Sequence, residues 1–128
     1  MQPTVLIYHM EPERQTGISN ICRSLGIYPV IVSGSLHRKA IGFFCADAGS
    51  WQDETAGPAP IDEEMIVMCG FNEQLFNLFL DQLRQAGLRV DLKAVQTETN
   101  AHWSAEMLQA ELKREREAFR KMSGEPGT

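Results

Sequence analysis

Met65-Ile66-Val67-Met68-Cys69-Gly70-Phe71-Asn72 sets five apolar residues in a row just ahead of a turn and a helix-capping asparagine. A continuous apolar run of strand length fits a β-strand buried on both faces. Beyond it Leu75, Phe76, Phe79, Leu80 and Leu83 recur at helical spacing. Asn72 is placed to cap that helix and Gly87 to end it. A buried strand leading into an amphipathic helix makes the fold class α/β.

The same pattern occurs earlier in the chain. Val5-Leu6-Ile7-Tyr8 reads as another buried strand, and Ile18, Ile21, Cys22 and Leu25 mark one helix face closed by Gly26. A constant offset carries Val5 to Ile66, Arg23 to Arg84 and Gly26 to Gly87. Pro29-Val30-Ile31-Val32 is a second apolar strand. Ser35 is placed to cap a helix reaching Cys45, with Leu36, Ala40, Phe43 and Phe44 on one side. In the second half, Val90 to Thr97 alternates apolar and polar residues, which suits an edge strand. Ser104 then caps a last helix with Leu108, Leu112 and Phe119 facing inward.

These elements predict a single domain over 1–128. It comprises a first βαβα half (1–45), a linker or lid (46–64) with Trp51 as its large apolar residue, a second βαβα half (65–122) and a flexible tail (123–128). The expected architecture is a duplicated βαβα fold with a four-stranded, mostly parallel sheet in the order 2-1-3-4 and helices on both faces. If the Ser35–Cys45 helix is instead a loop, the alternative is a ferredoxin-like split βαβ sandwich with antiparallel neighbours.

Composition narrows the function. A formal net charge of −5 gives no basic field for nucleic acid or an anionic membrane, so neither is an expected partner. Cys22, Cys45 and Cys69 are widely spaced, without a C-x-x-C pair, which suits reduced buried thiols. The start, Met1-Gln2-Pro3-Thr4, lacks the basic region of a signal peptide, and the expected location is the cytoplasm. Neither a dinucleotide-binding glycine motif nor a phosphate loop is present, and the turns after the two central strands carry Glu11 and Glu73.

In an all-parallel sheet the strand C-termini and helix N-termini share one edge. That edge would gather His9, Glu11, Ser33, Ser35, Asn72, Thr97, Thr99, Asn100 and His102. The most specific stretch is Lys93-Ala94-Val95-Gln96-Thr97-Glu98-Thr99-Asn100-Ala101-His102-Trp103, followed by Leu108, Glu111-Leu112 and Glu115. It resembles a bacterial family known as a domain of unknown function, with the signature K-A-[VI]-x-T-x-T-N-x-x-W and then L-x-x-E-L-x-x-E. The resemblance spans roughly the second half and implies no activity. The candidate ligand-binding residues are Lys93, Thr97, Thr99, Asn100, His102 and Trp103.

A structural role competes for the same residues. Trp103 and Leu108 bracket Ser104 as a hydrophobic staple, and Phe71 and Phe76 bracket Asn72 likewise. Thr97, Thr99 and Asn100 can satisfy their own turn, and Lys93 can blunt an edge strand. His9, His37 and His102 have no metal-ligand spacing, so neither metal nor cofactor is expected. Cys69 reads as a core thiol rather than a nucleophile beside His9. The last helix carries Lys113–Glu117 and Glu117–Lys121 at ion-pair spacing.

The function expected from the residues is a non-catalytic binding or regulatory module, with a homodimer or a protein partner. The alternative is a protein or enzyme that binds a small anionic metabolite at the strand C-terminal edge.

Overall fold

A strand of five apolar residues is most stable with both faces covered. In the computed structural model, β1 (Thr4–Tyr8) and β3 (Met65–Cys69) are the two central strands, buried at every residue. The structure describes residues 2–37, 39–44 and 60–122. The expectations for Cys45, the Trp51 linker and the 123–128 tail lie outside the described residues.

The remaining elements are α1 (Pro12–Ser24), β2 (Tyr28–Val32), α2 (Glu73–Gln85), β4 (Leu92–Val95) and α3 (Ala105–Met122). The sheet order is β2-β1-β3-β4, as expected. β1 runs parallel to β2 and β3 parallel to β4, whereas β1 and β3 are antiparallel, with Thr4 opposite Cys69 and Tyr8 opposite Met65. The sheet is therefore mostly parallel, and the all-parallel arrangement is corrected at its centre.

The internal repeat is compatible with that inversion. Shifting β1 and α1 by the constant that carries Val5 to Ile66 lands on β3 and α2 with every boundary matched. Leu6 and Val67 are counterparts under this shift, and they face each other at the middle of the β1–β3 register. The halves are thus related by a pseudo-two-fold axis perpendicular to the sheet, which reverses strand direction but keeps both helices on one face. Their helix ends match too. Gly26 (φ 74°) and Gly87 (φ 69°) take the left-handed conformation. The next N–H groups, on Ile27 and Leu88, reach back to Cys22 and Leu83 at 2.8 Å in the same Schellman motif. The split βαβ alternative interleaves its two units, whereas here the strands of each unit are neighbours.

Val5, Ile7, Ile66 and Met68 point to the face covered by α1 and α2, where Ile18, Cys22, Phe79 and Leu83 meet them. Leu6, Tyr8, Val67 and Leu92 point to the other, beneath Ala105, Leu108 and Leu112 of α3 together with Ile41 and Phe44. The expected Ser35–Cys45 helix is corrected. Its described part forms two 3₁₀ turns, Gly34–Leu36 and Ile41–Phe44, and Ser33 rather than Ser35 precedes the first. Gly34 and Gly42 weaken helix propensity. Tertiary bonds then take over the backbone: Ile41 N–H donates to the Trp103 carbonyl (2.9 Å) and Ala105 N–H to the His37 carbonyl (3.1 Å).

Candidate functional site

The antiparallel centre divides the expected common edge. His9, Glu11, Ser33 and Ser35 follow β1 and β2 at one end of the sheet, and Asn72, Thr97, Thr99, Asn100 and His102 follow β3 and β4 at the other. Cys69 lies opposite Thr4, away from His9, and is fully buried. Burial also pushes the Cys22 thiol up to about 12, so both thiols belong to the core. Among the described residues, no cluster of His, Cys, Asp and Glu is placed to hold a metal ion.

At the β4 end the chain builds a self-satisfied turn. Asn100 Oδ1 accepts from Thr97 N–H at 2.8 Å, and Thr97 Oγ1 accepts from Asn100 N–H at 3.1 Å. Asn100 Nδ2 donates to the Val95 carbonyl at 3.0 Å. This reciprocal pair stops β4 and aims the chain into a 3₁₀ turn, Asn100–His102. Ser104 Oγ then caps α3 by accepting from Met107 N–H at 3.2 Å. Asn72 caps α2 through Leu75 N–H at 2.8 Å. The ring of Phe71 meets Phe79 edge-on at 5.7 Å, one turn beyond the expected Phe76.

Lys93, Thr97, Thr99, Asn100 and Trp103 are brought together. With Ala94, Val95, Leu108, Leu112, Glu111 and Glu115 they line an open cavity of about 350 Å³ between β4 and α3. His102, by contrast, is exposed and does not line it. A second cavity of about 340 Å³ adjoins the first, sharing Lys93, Leu112 and Glu115 and adding Asp91, Leu92, Arg116 and Phe119. Together they form one trough along the outer edge of β4, on which no strand lies among the described residues.

The acidic residues and Phe119 are the part that sequence reading left out. Glu111, Glu115 and Phe119 follow each other at i, i+4, i+8, so one flank of α3 carries all three. Phe119 had been expected to face inward, but it is 71% exposed. The cause is length: α3 has 18 residues, about 27 Å, and outruns strands of four or five residues.

The other flank of α3 is tied down. Gln109 Oε1 accepts from the N–H groups of Asp62 (3.1 Å) and Glu63 (3.3 Å), and its Nε2 donates to the Glu63 carbonyl (2.9 Å). Arg116 donates to both Glu63 carboxylate oxygens (3.1 and 3.0 Å) and also reaches Asp91. Lys113 pairs with Asp62, in place of the expected partner Glu117. The Arg116 guanidinium holds the Glu63 carboxyl below its ordinary range, and Lys113 does the same for Asp62.

The trough's polar lining is thus mixed. Glu111 lies 3.1 Å from Arg114, while Glu115 makes no ion pair among the described residues. The Lys93 ammonium donates to the Val90 carbonyl at 3.2 Å. No helix among the described residues is long and apolar enough to cross a membrane.

Residues 64–119, which build β3, α2, β4 and most of α3, match a family model described as a domain of unknown function, DUF3783. No curated protein and no solved structure matches the chain.

Proposed function

We propose that the DUF3783 segment forms a cytoplasmic, non-catalytic binding module that takes an extended segment of a protein partner along the outer edge of β4. The observation that carries this reading is the trough beside an unpaired strand. Gln96 N–H donates to the Met68 carbonyl, so the backbone groups of residues in phase with Gln96 point toward β3. Those of Lys93 and Val95 point outward, and Asn100 already occupies the Val95 carbonyl. Lys93 N–H, Lys93 C=O and Val95 N–H are left to pair with an added strand. Leu108 to Phe119 spans about 16 Å of helix, the length of about five extended residues.

Charge sets the partner's chemistry. Asp91, Glu111 and Glu115 outnumber Lys93 and Arg116, and Arg116 is already paired with Glu63 and Asp91, which favours Lys or Arg on the partner and disfavours an anionic metabolite. Val95 (41% exposed), Trp103 and Leu112 offer apolar contact between the charges.

Selection of a random-peptide phage library on the immobilised protein tests the reading. Recovered peptides should alternate apolar residues with Lys or Arg. They should lose binding to Val95→Pro, which removes an outward N–H, and to Glu115→Lys. No enrichment, or peptides that bind both variants as well as the parent, would overturn it.

A further inference from the structure

We infer that the outer edge of β2, at the opposite side of the sheet, pairs with the same edge of a second copy of the chain. Among the described residues no strand lies outside β2. Native sheets protect such an edge with charge, proline or a covering element; β2 carries Pro29 but no charge, since every residue from Leu25 to Leu36 is uncharged. Tyr28 and Ile31 are 58% and 52% exposed on the strand itself.

The hydrogen-bond phase selects the register. Tyr28 N–H donates to the Pro3 carbonyl at 2.8 Å, so the backbone groups of Tyr28, Val30 and Val32 point toward β1. Those of Pro29 and Ile31 point outward. Proline has no N–H to give, which leaves Ile31 as the residue of β2 with both an outward donor and an outward acceptor. An antiparallel pair in which Ile31 faces its own copy satisfies both groups in each copy, through two hydrogen bonds related by a two-fold axis. Within Leu25–Leu36 itself no charged residue is brought toward its own copy. At β4, by contrast, self-pairing would bring Glu111 and Glu115 toward their own copies. A copy of the chain therefore suits the β2 edge and does not suit the β4 edge.

Sedimentation equilibrium of the whole chain should give twice its 14.4 kDa mass at high concentration. Ile31→Lys should return the mass to that of one chain and should melt where the parent melts once diluted to the monomer, because the residue is half exposed and the variant loses only the stabilisation that association adds. A cross-link gives a second readout. Cα atoms of a hydrogen-bonded antiparallel pair lie about 5.5 Å apart, within disulfide reach. With Cys45 replaced by Ser, Ile31→Cys should form a covalent dimer under oxidised glutathione, and Val95→Cys should not. A parent chain that stays monomeric at millimolar concentration would overturn the inference, as would a dimer indifferent to Ile31→Lys. None of these readouts depends on peptide binding at β4.

Discussion

The Asn100 amide uses its oxygen on Thr97 N–H and its nitrogen on the Val95 carbonyl, all inside its own turn. The residue itself is 9% exposed, but the groups it bonds belong to Thr97 and Val95, which are exposed and within reach of water once the amide is gone. Asn100→Ala should therefore lower stability by about 1 kcal/mol, read from urea unfolding, the net worth of turn hydrogen bonds whose partners are resolvated. His37 makes a different prediction. It is also 9% exposed, its ring meets Tyr8 edge-on at 5.6 Å, and its Nε2 has no hydrogen-bond partner among the described residues. Burial lowers its pKa, aided by nearby His9 and opposed by the Val32 backbone and Glu106. A lowered pKa means the unfolded chain takes up the proton first. His37 thus contributes stability that is fully present above about pH 6.5 and is lost as pH falls through its folded value. The urea midpoint of the parent should drop over that window, and His37→Phe should remove the component belonging to this residue. Asp62 and Glu63, also lowered, lose their contribution only in the more acidic carboxylate range. At this scale the sequence was legible for turn chemistry, since Thr97, Asn100, Ser104 and Asn72 do what their side chains favour locally. It was silent on His37, because burial of a lone histidine is decided by what folds over it.

Among the elements, α3 is anchored by contacts distant in sequence. Its buried Gln109 bonds three backbone groups of Asp62 and Glu63, so the end of the segment expected as a lid is fastened to the helix instead. Gln109→Ala should cost about 2 to 3 kcal/mol and speed hydrogen exchange at the Asp62 and Glu63 amides. Exchange rates unchanged at those two positions would contradict the role assigned to Gln109. Periodicity located β1, α1, β3 and α2 because each carries its signal within its own residues. Direction was a different matter. Whether β3 runs with or against β1 is decided by pairing between residues far apart in sequence, and an apolar run such as Met65–Cys69 reads the same either way. The missing helix after β2 has a related cause: Leu36, Ala40 and Phe44 satisfy a helical spacing, yet the His37 carbonyl and the Ile41 N–H bond to Ala105 and Trp103 instead. Five of the six candidate residues line one cavity because Lys93 to Trp103 is contiguous. Its acidic wall was missed because it comes from a helix flank that the turn brings back alongside β4.

At the scale of the whole molecule, one sheet ends in two edges of opposite chemistry. The β2 edge is apolar and uncharged, while the β4 edge lies beside Asp91, Glu111 and Glu115. Salt separates them. Screening weakens exposed charge contacts, with a Debye length of about 10 Å at 0.1 M ionic strength and about 3 Å at 1 M. Burial of apolar side chains is not screened in this way. Raising sodium chloride between those two concentrations should therefore weaken a Lys-containing peptide at β4 by about tenfold or more. The self-association constant at β2 should hold or rise. Titration calorimetry with a library-selected peptide reads the first, and sedimentation equilibrium on the same samples reads the second. A peptide affinity indifferent to salt would remove the acidic wall from the recognition argument and leave only apolar contact and strand addition. A dimer that dissolves in salt would place charge in an interface where Leu25 to Leu36 supplies none, and would move that interface away from β2.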